Sequence, residues 1–240
     1  MSTGRFAFDI ETINPQLETG EEPSDYQDPG QFELFSLCCA YQPDPDAEIE
    51  HEVFFREGRD PESELELVDR TLEWVLEHQG DTVITYNGDY FDFTQFVGRT
   101  RRATEAAEAN RSILDRAEQW VHTADSVDLK HDSWDHFGDY TSFEETCEYC
   151  DVQVPRTMLS EYDVDTDDYP EHRDTADAMK PYFLGGDVPV VGERYLDLLE
   201  AGATETKTFR EMHRMLEHYA VTDVVPLFEL ADSRPFTEYV

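Results

Sequence analysis

A mixed α/β sheet with helices on its faces is the fold class that this 240-residue sequence predicts. Two observations predict it. Three short apolar stretches come first, and helix-spaced and strand-like segments alternate after them. The 39% apolar and 12% aromatic content is that of a folded chain, and the length suits one domain over 1–240 with a core of its own.

Residues 5–12, about 32–42 and about 48–56 read as strands rich in Phe, Leu, Val and Tyr. Their short spacing predicts an antiparallel meander. Asn14 to Gly30, acidic and studded with Pro and Gly, reads as a loop bordering whatever lies at the end of the first strand. Pro61 opens a helix whose apolar positions, Leu65, Leu67, Val68, Leu72, Trp74, Val75 and Leu76, carry it to about Gln79, with Gly80 as its stop. Asp81 to Asn87 follows as a buried strand. A helix from about Phe93, broken near Gly98, runs to about Val121, and Ala124 to Leu129 forms another short strand.

Further on, Phe143, Cys147 and Cys150 fall at i, i+4 and i+7. That is the apolar stripe of a short helix, and it predicts buried thiols rather than a zinc knuckle. Asp151 to Lys180 shows little periodicity and reads as an irregular acidic insertion reaching about residue 185. Its Asp163-Val164-Asp165-Thr166-Asp167-Asp168 run lacks the glycine and terminal glutamate of a calcium loop, which leaves a solvated linker.

The formal charge is −38, from 56 acidic side chains against 18 basic ones, and only Lys130, Lys180 and Lys207 are lysine. The acids are spread along the whole chain, so no disordered polyacidic tail explains them. A surface of this kind resembles proteins from halophiles, where molar salt screens self-repulsion to within about 3 Å. No apolar stretch is long enough to span a membrane, and the N-terminus lacks a basic region followed by an apolar one. The expectation is a soluble, cytoplasmic protein.

Three acidic signals stand apart from this background. In Phe8-Asp9-Ile10-Glu11-Thr12, alternation along a strand puts Asp9 and Glu11 on one face, and two like charges held together ask for a cation. In Asn87-Gly88-Asp89-Tyr90-Phe91-Asp92, a strand runs through a turn into a helix that starts at Asp92. Sheets of this class place their sites there, although capping alone would also suit Asp92. In Tyr219-Ala220-Val221-Thr222-Asp223, Tyr219 and Asp223 share the apolar face of a helix, where an aspartate needs a partner or a metal.

Taken in that order, the three stretches match the exonuclease motifs of the DEDD superfamily. The chain resembles the tyrosine subclass, which includes the proofreading domains of B-family DNA polymerases and stand-alone polymerase-B-like exonucleases. Asp125-x-x-Asp128-Leu129, the helix at Ser142 to Cys150 and Gly186-Asp187-Val188-Pro189 are similar to the latter. The resemblance implies an RNase H-like fold with a central five-stranded sheet, three antiparallel strands followed by parallel ones. It further implies a 3′-5′ exonuclease with two divalent ions, Mg²⁺ or Mn²⁺, acting on nucleic acid with a free 3′ end, DNA favoured over RNA.

In that scheme Asp9 is shared by both ions, Glu11 and Asp223 complete one site, Asp92 holds the other, and Tyr219 orients the attacking water. His218-x-x-x-x-Asp223 also fits a histidine form of the third motif. However, His218 lies about 140° round the helix from Asp223, among polar residues, which favours Tyr219. Thr12, Asn87, Tyr90, Phe91, Arg99, Arg101 and Arg102 are candidate substrate contacts, with the aromatics stacking bases and the arginines meeting phosphate or pairing with Glu105 and Glu108. An internally cutting nuclease of the same fold and a non-catalytic binding module are the two other readings.

The halophile-like surface makes a testable prediction. The melting temperature falls as KCl is lowered from molar to dilute concentration, and an unchanged melting temperature would contradict the solvent explanation of the charge.

Overall fold

The computed structural model describes residues 4–17, 23–138, 141–164, 180–234 and 236. Five strands, β1 (Gly4–Ile13), β2 (Glu33–Gln42), β3 (Glu50–Phe55), β4 (Gly80–Thr85) and β5 (Asp125–Asp128), form one sheet in the order β3-β2-β1-β4-β5. β1 and β2, and β2 and β3, run antiparallel, whereas β1 and β4, and β4 and β5, run parallel. This is the mixed sheet that the sequence predicts, with β1 at its centre.

The helices among the described residues are α1 (Pro61–Glu77), α2 (Asp92–Ala106), α3 (Ser112–Thr123), α4 (Leu129–Phe137), α5 (Phe143–Tyr149), α6 (Val188–Glu200), α7 (Lys207–Val224) and α8 (Pro226–Asp232). None of them is long and apolar enough to cross a membrane.

Alternation along β1 divides the core. Phe6, Phe8 and Ile10 are buried against α1, α2 and α3, where Phe8 meets Phe93, Phe96 and Trp120 at ring distances of 6.1, 5.5 and 5.1 Å. Ala7 and Ile13 belong to the opposite face, which α6, α7 and α8 cover with residues such as Val191, Met215, Leu216, Ala220 and Leu227. Asp9 and Glu11 fall on this second face.

Several local departures have identifiable causes. The helix expected to break near Gly98 passes through it and ends at Ala106 instead, with Glu108 in the left-handed region at φ 50° before α3 begins. Gly98 is small for packing: a Cβ there would lie 2.2 Å from the Pro29 ring. Gly80 likewise is the first residue of β4 rather than a helix stop, because a Cβ would lie 2.2 Å from the Gly4 carbonyl oxygen of the neighbouring strand.

The Cys147 and Cys150 thiols are free; Cys147 is buried in the core cluster under α5 as its spacing predicts, whereas Cys150 is only half-buried against it, and Ser142 with Glu145 forms the capping box that starts this helix. Of the irregular insertion, residues 165–179 lie outside the described part. Its two flanks meet: Phe183 donates its amide to the Thr157 carbonyl at 2.8 Å, and Leu159 to that of Pro181 at 3.0 Å.

Arg99 sits on the sheet side of α2, beside Glu64 of α1. Its Nε and Nη2 donate to the two Glu64 carboxylate oxygens at 2.9 and 2.8 Å, its Nη1 donates to the Pro29 carbonyl, and Glu64 also accepts from the Leu34 amide. Every charged atom here is satisfied, as burial demands. Arg99→Ala leaves Glu64 buried without its cation and should lower stability by about 3–5 kcal/mol. Guanidinium denaturation reads this loss, and a change below about 1 kcal/mol would contradict the structural role.

Candidate active site

β4 pairs with β1 only as far as Ala7 opposite Ile84, and beyond that point the two strands part. The Ile10 amide would then lack a partner on that edge. Asp92, the first residue of α2, supplies one: its Oδ1 accepts from the Ile10 amide at 3.1 Å, and the residue is only 3% exposed. The carboxylate is thereby drawn across to the strand that carries Asp9 and Glu11. On the other side of β1, α7 buries Met212, Met215, Leu216 and Ala220 and brings Asp223 over the same face. A carboxylate oxygen from each of Asp9, Glu11 and Asp223 lies within 4.8 Å of the others.

Four acids from three separate stretches therefore converge. At that separation two full charges repel by roughly 3 kcal/mol at an effective dielectric of about 20. Burial raises the Asp9 carboxyl well above the usual range, and Asp92, Glu11 and Asp223 push it further the same way. Glu11 rises for the same reasons, burial first and then Asp223 and Asp92. Asp92 is pushed up to about 7 by burial, against the pull of the Ile10 amide. Asp223 also reaches about 7 through burial, opposed by the hydrogen bond that the Tyr219 hydroxyl gives it.

Tyr219 projects beside Asp223, its ring centroid 5.1 Å from that of Phe183, and a Cβ on Gly185 would lie 3.1 Å from its hydroxyl. Burial, and then the nearby Asp223 charge, hold the phenol well above its ordinary pKa, so it keeps its proton. His218 points elsewhere, its Nδ1 2.5 Å from the Tyr162 hydroxyl.

The substrate candidates divide. Thr12 follows a register shift between Glu11 and Thr12, and Asn87, Tyr90 and Phe91, from the turn that leads into α2, line one cleft. Asn87 takes a left-handed φ of 78°, its amide donates to Asp128 at 2.8 Å, and its Oδ1 accepts from Lys130 Nζ at 2.9 Å. The three arginines are not brought to the acids as expected. Arg99 is buried against Glu64, Arg101 pairs with Glu118 at 2.8 Å, and Arg102 lies near Asp28. Their partners come from other elements rather than from Glu105 and Glu108, because α1, α3 and the loop before β2 pack around α2.

Arg156 is the basic residue that the sequence does not disclose. It lies on one flank of the insertion, 3.2 Å from Glu144, lines a small cavity with Tyr219 and Asp223, and its charge acts to lower the Asp223 carboxyl. Only contact between the insertion and α7 reveals it.

The donor set consists of hard carboxylate oxygens, converged and in need of positive charge. That suits a hard divalent cation and suits softer metals poorly. A second group, Asp89, Asp128 and His131, also has ligand atoms within 4.8 Å of one another. There, however, the Asp128 oxygens accept from the Asn87, Asp89 and Lys130 amides, which makes Asp128 an organiser of the turn and the cap of α4.

No protein-family model and no curated protein matches the chain. Among solved structures it is similar to the family B DNA polymerase from the hyperthermophilic archaeon Pyrobaculum calidifontis, at 15% identity and a TM-score of 0.41, over 96% of this chain and 27% of that one. It is also similar to E. coli Exonuclease I in complex with a dA16 oligonucleotide, at 13% identity and a TM-score of 0.33, over 82% of this chain and 41% of that one. The chain thus spans less than half the length of either.

Without metal, Asp92 and Asp223 stay protonated in the folded chain up to about pH 7, yet both ionise above about pH 4 once unfolded. The folded state binds more protons in that window, so stability falls as pH rises from about 4 to about 7 and then levels. Asp223→Asn should flatten the fall. Denaturation in EDTA across this range checks it, and identical slopes for variant and parent would contradict the assignment.

Proposed function

We propose that the chain is a metal-dependent 3′-5′ exonuclease that hydrolyses nucleic acid, DNA in preference to RNA, to nucleoside 5′-monophosphates. The observation that carries the reading is the convergence of Asp9, Glu11, Asp92 and Asp223 beside a protonated Tyr219. The polarity and the preference for DNA follow the motif resemblance.

Asp9, Glu11 and Asp223 would hold one divalent ion, and Asp9 with Asp92 a second. Bound there, such ions acidify a water and neutralise the charge that develops on the phosphoryl oxygens. The chain's own groups do the rest. The fixed strand β1 holds Asp9 and Glu11 in place, so little reorganisation is needed as charge builds. Asp92 is fixed by the Ile10 amide. The Tyr219 hydroxyl keeps its proton and shares a small cavity with Asp223, a position from which it would orient the attacking water.

Digestion of 3′-labelled and 5′-labelled strands in high salt with Mn²⁺ tests the proposal. The 3′ label should leave at once as a mononucleotide, while the 5′-labelled strand shortens stepwise and a closed circle stays intact. Asp9→Ala and Asp223→Ala should abolish hydrolysis, and Tyr219→Phe should slow it roughly a hundredfold. Cutting of the closed circle, or full activity in Asp9→Ala, would overturn the reading.

A further inference from the structure

A buried threonine in a helix has a ready partner in its own backbone. Thr71, Thr100 and Thr104 each donate to the carbonyl four residues back, at 2.9, 2.6 and 2.7 Å. Thr157, on the first flank of the insertion, lies outside any helix and has no such carbonyl. It is only 2% exposed, and its hydroxyl has no protein partner among the described residues. A hydroxyl buried in this way costs free energy unless something completes it.

The surrounding backbone is fixed. The Thr157 carbonyl accepts from the Phe183 amide at 2.8 Å, and Met158 bridges antiparallel to Tyr182 on the other flank. Alternation along this pairing buries Thr157 and leaves the neighbouring Arg156 exposed. Arg156 is in turn steadied by Glu144 at 3.2 Å and by the Tyr182 ring, which lies 4.8 Å beneath its guanidinium.

Thr157 and Arg156 line the same small cavity as Tyr219 and Asp223, with a volume of about 20 Å³. That is room for one water, and too little for a base or a whole phosphate. A buried water needs two to four polar partners, and the lining offers four. Thr157 and Arg156 can donate, and the Asp223 carboxylate and the Tyr219 oxygen can accept. Gly185 lies on the lining too, and a Cβ there would come within 3.1 Å of the Tyr219 hydroxyl.

We propose that one water occupies this cavity and that Thr157 is a positioning residue which acts through it. The water accepts from the Thr157 hydroxyl and from an Arg156 N–H, and it donates to the Asp223 carboxylate and to the Tyr219 oxygen. With its oxygen engaged on that side, Tyr219 is held to one hydroxyl orientation, its proton turned toward the reacting centre. The flanks of the insertion thus serve the site although they carry none of its acids. The water site rests on the cavity and the hydroxyl alone, and its benefit to hydrolysis rests on the nuclease reading.

Thr157→Val removes the hydroxyl at little change in volume. In EDTA it should lower the thermal midpoint, because the water loses a partner, whereas an uncompleted hydroxyl predicts a midpoint unchanged or raised and would overturn the proposal. The losses from Thr157→Val and Tyr219→Phe should be less than additive, since both act on one water, and additive losses would overturn the sharing. In Mn²⁺, Thr157→Val should lower kcat roughly tenfold at unchanged KM, and Thr157→Ser should recover most of the rate. A lowered midpoint with kcat intact would overturn the positioning role. Coupled losses of midpoint in a protein that digests nothing would overturn the nuclease reading and leave the water site standing.

Discussion

Mutual repulsion among Asp9, Glu11, Asp92 and Asp223 is the constraint around which the rest of the structure is arranged. Acids this close scatter into solvent unless the backbone gives them no choice. Here β1 is pinned on both sides, Asp92 is tied to the Ile10 amide, and α7 is seated by its apolar face. The apolar packing of Phe8, Phe93, Phe96 and Trp120 beneath β1 is what offsets the electrostatic cost. In metal-free protein the acids relieve themselves by keeping protons, and a bound cation would take over that task.

Much of this was legible in the sequence because it depends on periodicity. A repeat of two puts Asp9 and Glu11 on one face, and a spacing of four puts Tyr219 with Asp223 and leaves His218 to face Tyr162. The sheet, too, is written in apolar runs whose order and spacing differ little from those observed. What stayed hidden depends on contacts between distant segments. Arg99 looks like a free cation until Glu64 is placed beside it, and Gly98 looks like a breaker until Pro29 packs against it. α4 has only Leu129 and Ser133 buried, so it carries almost no helical stripe, yet it supplies one wall of the cleft. Arg156 lies in a stretch with no pattern at all, and only the pairing of the insertion's two flanks places it near Asp223.

The 56 acidic side chains thus fall into two populations that composition cannot separate. Among the described residues most lie on exposed faces or pair with a neighbouring arginine. A few converge, and their carboxyls are pushed up by burial and by one another. The aromatic side chains divide in the same manner: those under β1 build the core, whereas Tyr26, Tyr90 and Trp134 stay at the surface and line one cleft.

The most direct measurement is a titration of metal-free protein with Mn²⁺ in molar KCl, following the free ion by electron paramagnetic resonance. Molar salt suppresses loose binding to the acidic surface. The parent chain should remove two equivalents of Mn²⁺ from the free pool, and Asp9→Asn, which loses the carboxylate common to both positions, should remove none. Equal uptake by the two proteins would show that the converged carboxylates are not a cation site.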